Sequence, residues 1–225
     1  MEAALKIYKK PKLRNPFLVT GWPDAGQVGI KAISYLKDKL GAEEFGEIEM
    51  YDFSLMPNSV IKGGVMMRLE FPNAEFSYYK SEKIANDLII FRSGQPALNQ
   101  HKFVSLILDL AQQFGVQRIY TVGGLYAKTS HTVRAKVLVV INKRELWGYL
   151  KDFDVELGVD YHGPTSMSGL LIGTAKMRGI EGVSLWGQVP NYIAEMPNPR
   201  VSQDQNSVLT AMVNAEIDMT EIKAE

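Results

Sequence analysis

Apolar positions along this chain follow two alternating rhythms. Short unbroken apolar runs ending in glycine read as buried strands. They are Phe17-Leu18-Val19-Thr20 before Gly21, Asp87-Leu88-Ile89-Ile90-Phe91 near Gly94, Arg118-Ile119-Tyr120-Thr121-Val122 before Gly123-Gly124, and Val183-Ser184-Leu185-Trp186 before Gly187. Residues 136–141 predict a further strand. Glu47-Ile48-Glu49-Met50-Tyr51 alternates polar and apolar, the pattern of a strand with one wet face. Between the runs, apolar residues recur at three- and four-residue spacing. Val28, Ile30, Ile33, Leu36 and Leu40 predict an amphipathic helix over 27–40, with Gly41 as its terminator. The same spacing predicts helices over 103–114, 143–150, 166–177 and about 205–222. Residues 65–71 and 75–79 flank Pro72-Asn73-Ala74, a connection too short for a parallel crossover, and predict an antiparallel hairpin.

Strand–helix–strand alternation favours a mostly parallel sheet covered on both faces, made mixed by the hairpin. No Pro/Gly/Ser-rich linker interrupts the 225 residues, so a single α/β domain over 1–225 is expected.

Composition then narrows the function. The 25 basic and 25 acidic residues cancel, leaving no global field for nucleic acid or an anionic membrane, and little repulsion between copies. The absence of cysteine excludes disulfides, thiolate metal sites and cysteine nucleophiles. The first residues, Met1-Glu2-Ala3-Ala4-Leu5-Lys6-Ile7, are too charged for a signal peptide, and no apolar run reaches the roughly 18–20 residues of a membrane span. A cytoplasmic protein without cofactor is expected.

Candidate chemistry gathers where strands end. In open α/β sheets the loops at the carboxyl ends of strands share one rim, where ligands bind. Gly21, Gly94, Gly123, Gly124 and Gly187 would sit there, either forming one crevice or simply letting the chain turn. The densest segment, Gly21-Trp22-Pro23-Asp24-Ala25-Gly26-Gln27-Val28-Gly29, has neither dinucleotide-binding nor phosphate-loop spacing. Asp24 is placed to cap the following helix. Trp22 could cover a ligand or partner surface or merely seal the sheet edge; its place among turn residues favours an exposed ring. Gly163-Pro164-Thr165-Ser166 precedes a helix whose free amides could hold an anion, with Thr165 or Ser166 as cap. A pocket lined by Trp22, Asp24, Gln95 and Ser166 would indicate a ligand; a flat or subunit-filled rim would indicate assembly. His101, His131 and His162 are isolated and show no paired metal spacing, and no activated nucleophile is evident, so neither catalytic nor metal residues are assigned.

The order of these motifs resembles the proteasome assembly chaperone 2 family. The Gly21–Gly29 segment is similar to that family's Gly-aromatic-Pro opening. Met50-Tyr51-Asp52-Phe53 with Pro57 and Gly63-Gly64, the strand-ending Gly123-Gly124, the block from Gly163 to Ile180, and Gly187-Gln188-Val189-Pro190 follow in the family's order. The resemblance implies a three-layer α/β/α sandwich of phosphorylase/hydrolase-like shape, homo-oligomers, and binding to proteasome-type subunits or another protein without catalysis. An enzyme or small-molecule receptor using the strand-end rim is the alternative. One feature departs from the pattern. Ring-docking assembly factors often end in hydrophobic–Tyr–any residue, whereas this sequence ends Glu221-Ile222-Lys223-Ala224-Glu225.

Overall fold

The computed structural model describes residues 4–130, 137–193 and 197–215. The chain begins with an edge strand, β1 (Leu5–Ile7), then β2 (Phe17–Gly21), helix α1 (Val28–Leu40) and β3 (Glu43–Ile48). Gly41 closes α1 in the left-handed region, at φ +60°. A ribbon of β4 (Asn58–Lys62) and β5 (Val65–Glu70) precedes β6 (Ala74–Tyr79), β7 (Leu88–Ser93) and α2 (Gln100–Gln113). After β8 (Arg118–Ala127) come β9 (Val137–Ile141), the one-turn α3 (Trp147–Leu150), β10 (Glu156–Leu157), α4 (Met167–Met177), β11 (Glu181–Pro190) and α5 (Pro199–Val213).

Among the described residues, nine strands form one mixed sheet in the order β1-β3-β6-β7-β2-β8-β11-β9-β10. The parallel pairing expected from the sequence is concentrated at the centre, where β7, β2, β8 and β11 run together. The β1-β3-β6 flank is antiparallel within itself and to β7, and β9 runs antiparallel to β11.

Adjacent residues of the central strands point to opposite faces, and a hydrophobic core lies on each. Leu18, Ile89 and Ile119 pack with Phe103, Ile107, Leu171 and Ala175 of α2 and α4. Val19, Ile90, Val122 and Leu185 pack with Ile33, Leu36, Leu150, Leu209 and Met212 of α1, α3 and α5. The result is an α/β fold with helices on both sides of the sheet.

Four sequence expectations are corrected. Residues 65–71 and 75–79 do not pair with each other. β5 pairs with β4 across Gly63-Gly64, while β6 joins the main sheet between β3 and β7. The reason is turn chemistry: Gly63 and Gly64 adopt φ +56° and +80°, the tight turn that matches strand twist, whereas Pro72 supplies no N–H to a hairpin ladder. The expected strand at 47–51 begins and ends earlier, at 43–48, and Tyr51–Phe53 form a 3-10 turn. Gly123, Gly124 and Gly187 do not stop their strands, because β8 and β11 pair continuously through them. The last helix begins earlier than expected, at Pro199, with Asn198 Oδ1 capping the amide of Val201. The part of that expectation beyond residue 215 lies outside the described residues.

Candidate functional site

The turn leaving β2 is drawn back onto the sheet by one carboxylate. Gly26 and Gln27 adopt φ +64° and +53°, reversing the chain so that Asp24 faces the start of α1. Asp24 Oδ2 accepts from the amide of Gly124 in β8 at 2.7 Å, and Oδ1 from the amide of Gly29 in α1 at 3.1 Å. Gln27, not Asp24, occupies the cap position of α1, but the Asp24 carboxylate still accepts from the first turn of the helix and pins it to a strand 100 residues away in sequence. Burial pushes its carboxyl up to about 7, against the amides of Gly124, Gly29 and Val28, which pull it down.

This closure overturns the expectation for Trp22. The ring is only 3% exposed and belongs to the core on the α2/α4 face. Its neighbours in sequence are turn residues, but Asp24 folds that turn against the sheet and carries the ring inside. Trp22 Nε1 has no hydrogen-bond partner among the described residues.

The N-terminal part of α5 covers the outside of the turn. The Asn198 amide donates to Gly26 O at 2.9 Å, Ser202 Oγ to Val28 O at 3.3 Å, and Gln205 Nε2 to Gly123 O at 2.6 Å. Ala25, Val28, Val189 and Val201 form a small apolar cluster beneath these bonds. Gly21, Trp22, Asp24, Gly26, Gly123 and Gly124 therefore meet in one place, held by the chain's own groups. Pro23 and Gln27 are exposed at its surface.

The other candidates lie elsewhere on the surface or rim. Gly94 is half-buried against Pro72, and its amide donates to Asn73 O at 3.1 Å, while Gln95 is exposed. Gly163, Pro164, Thr165 and Ser166 are exposed at the start of α4. There Ser166 Oγ accepts from the Gly169 amide at 3.1 Å, and Tyr161 donates to Pro164 O at 3.0 Å. His101 and His162 are exposed; His131 lies outside the described residues. Among the described residues, no group of three or more His, Asp and Glu could hold a metal ion.

Two features at the rim escaped the sequence reading. Ala74 at the start of β6 pairs with Ser93 at the end of β7, so the β3–β6 flank contributes to the same rim. An open groove of about 930 Å³ lies there, lined by Met50, Tyr51, Phe71, Pro72, Lys102 and Leu106 among others. Lys102 Nζ meets Asp52 at 3.2 Å on its edge, and the Tyr51 and Phe71 rings stand 5.5 Å apart. Immediately before Phe71 of this groove comes the β4–β5 ribbon, a separate two-stranded sheet in which every residue of β5 is exposed. A signal for the ribbon was available: Gly-Gly between two residue runs of strand type is a hairpin signature.

Comparison with known proteins now identifies the lineage. The model of the PAC2 family matches residues 18–225. The chain belongs to the PAC2 family. This PAC2 protein is 27% identical over 221 residues to the uncharacterised protein MJ1210 of Methanocaldococcus jannaschii, covering 97% of this chain and 81% of that one. It is similar to the crystal structure of PbaB from Pyrococcus furiosus, described as an archaeal proteasome activator. That match has a TM-score of 0.83 and 27% identity, over 97% of this chain and 92% of the other. A PAC2 family protein from Streptomyces avermitilis matches with TM-score 0.80 and 26% identity, over 92% and 90% of the two chains. Among the described residues, no helix of the PAC2 protein is long and apolar enough to cross a membrane.

Proposed function

We propose that this chain is a non-catalytic assembly or binding protein that self-associates and acts by protein contact, with proteasome-type subunits as its partner class. The observation that carries this reading is the exposed apolar ribbon rising beside the rim groove, an apolar surface of the kind that protein partners cover. Similarity over nearly the whole chain to a proteasome activator supports the partner class. The polar groups around Asp24 support the non-catalytic half. Among the described residues its carboxylate is bonded to backbone amides rather than to a hydroxyl or imidazole nucleophile.

Native mass spectrometry of the purified chain mixed with proteasome α and β subunits from its own source organism tests the reading. The expected result is a defined complex, accompanied by a change in peptide hydrolysis by the assembled particle. No complex at tens of micromolar of either component, with hydrolysis unchanged, would overturn the partner class.

A receptor for a small molecule is favoured by one observation, the groove at the rim with Lys102 and Asp52 at its edge. A metabolite retained through purification and released on denaturation would support it over the assembly reading.

A further inference from the structure

The ribbon has one apolar face, and a β-bulge creates it. In register, Ile61 lies opposite Met66 and Ser59 opposite Leu69, with the shift between Val60 and Ile61 leaving Met67 as the extra residue. Directly opposed residues share a face, as do residues two apart on one strand. Ser59 and Ile61 are two apart, so their partners Met66 and Leu69 share that face. Being three apart, those partners would point to opposite sides of an unbulged strand. The other face carries Val60 and Asn58 with their partners Arg68 and Glu70, and Lys62 with Val65. Arg68 and Glu70 form an ion pair there at 2.5 Å, which agrees with this assignment. Every charged side chain of the ribbon strands is thereby on one side. The opposite side presents Ile61, Met66 and Leu69, each 54% exposed or more.

Such an element is unfavourable alone. An isolated two-stranded hairpin is marginally stable in water without a further strand or an apolar surface against it. Leu55 and Met56 before the ribbon and Met67 at the bulge are exposed as well, each by more than half, so the face stands among further apolar side chains in water rather than as a single scattered one.

We infer that the β4–β5 ribbon is the self-association arm of this protein, its Ile61–Met66–Leu69 face packing on the same face of a second copy across a two-fold axis. This rests on the self-association put forward above and names the surface that performs it. A two-fold contact brings a patch against itself, so a patch carrying one sign of charge would repel its own copy. This face carries none, and the Arg68–Glu70 pair on the far side is already neutralised. An acidic or basic partner would find nothing complementary here, whereas an identical copy finds an apolar surface of the same shape. The chain's zero net charge adds no long-range repulsion between copies.

Sedimentation velocity over a hundredfold concentration range tests the arm, comparing the parent with the double variant M66K/L69K and with V65K on the charged face. All three sites are exposed, so circular dichroism should stay that of the parent. The parent is expected to exceed its 25.2 kDa monomer mass. M66K/L69K should need at least tenfold more protein to associate, and V65K should associate as the parent does. As a second measurement, M66C in this cysteine-free chain should be joined to its symmetry mate by a short bismaleimide, and R68C should not. A parent that associates while M66K/L69K keeps its mass, or M66C left unjoined in an intact assembly, would overturn the arm and leave self-association standing. A parent monomeric at every concentration would overturn both.

Discussion

Asp24 shows how one side chain can decide a local architecture. It is the short link between the first turn of α1 and β8, and its partners are backbone amides rather than a cation. Its stability contribution has a definite sign. The folded carboxyl, raised to about 7, lies above the ordinary unfolded value near ~3.9. The stability linked to its proton is therefore fully present below about pH 4 and lost as pH rises through about 7. In D24N the site stays neutral at every pH. The parent's stability relative to D24N should therefore fall by a few kcal/mol between pH 4 and pH 8, measured by urea denaturation. A difference that is flat across that range would show that the carboxylate is already ionised at low pH. Trp22 belongs to the same scale. Truncation to W22A should cost about 3–5 kcal/mol, as for a buried aromatic, and lower the melting temperature without changing association of the protein that remains folded. Unchanged melting with weakened association would return Trp22 to the surface role its sequence neighbours suggested.

At the level of elements, two glycines in helices give opposite forecasts. Alanine is favoured over glycine in a helix interior by about 1 kcal/mol. At Gly173 in α4 an added Cβ would meet nothing within 4 Å, so G173A should raise stability by about 0.5–1 kcal/mol. At Gly29 in α1 the same Cβ would lie 2.5 Å from Val122 O and 2.8 Å from Asp24 Oδ2. G29A should therefore lose stability, by about 1–3 kcal/mol, despite its better propensity. Chemical denaturation of the two variants beside the parent decides it, and a stabilised G29A would mean that α1 can move off β8. The elements themselves were largely legible. Alternating burial in residues such as Leu18/Val19 and Ile89/Ile90 requires a strand covered on both faces, and the spacing of Ile33 and Leu36 requires a helix lying on it. The partner of each strand was less legible. Residues 65–71 and 75–79 both read as strands, and it is the Gly63-Gly64 pair, with its positive φ values, and not Pro72 that closes the hairpin.

For the whole molecule, the arm leads directly in sequence into Phe71 and Pro72 of the groove, and the function proposed here depends on what covers the two. If proteasome-type subunits occupy both, M66K/L69K should weaken subunit binding as well as self-association. If the two contacts use different surfaces, only self-association should respond. Native mass spectrometry of the double variant with the same subunits separates these outcomes. By itself the sequence determined the α/β class, the central strands and most of the helices, and which of their faces are apolar. Those properties are written in local periodicity, which each segment carries within its own ten or fifteen residues. Tertiary structure alone decided the rest: the insertion of β6 between β3 and β7, the passage of β8 and β11 through their glycines, and the burial of Trp22. It also decided the burial of α5's polar residues Ser202, Gln205 and Asn206 on backbone carbonyls of α1, β8 and β11. Each of these is settled by contacts between distant segments, where a buried polar group must find a partner and a ring must find space, and no local pattern encodes which segment will supply them.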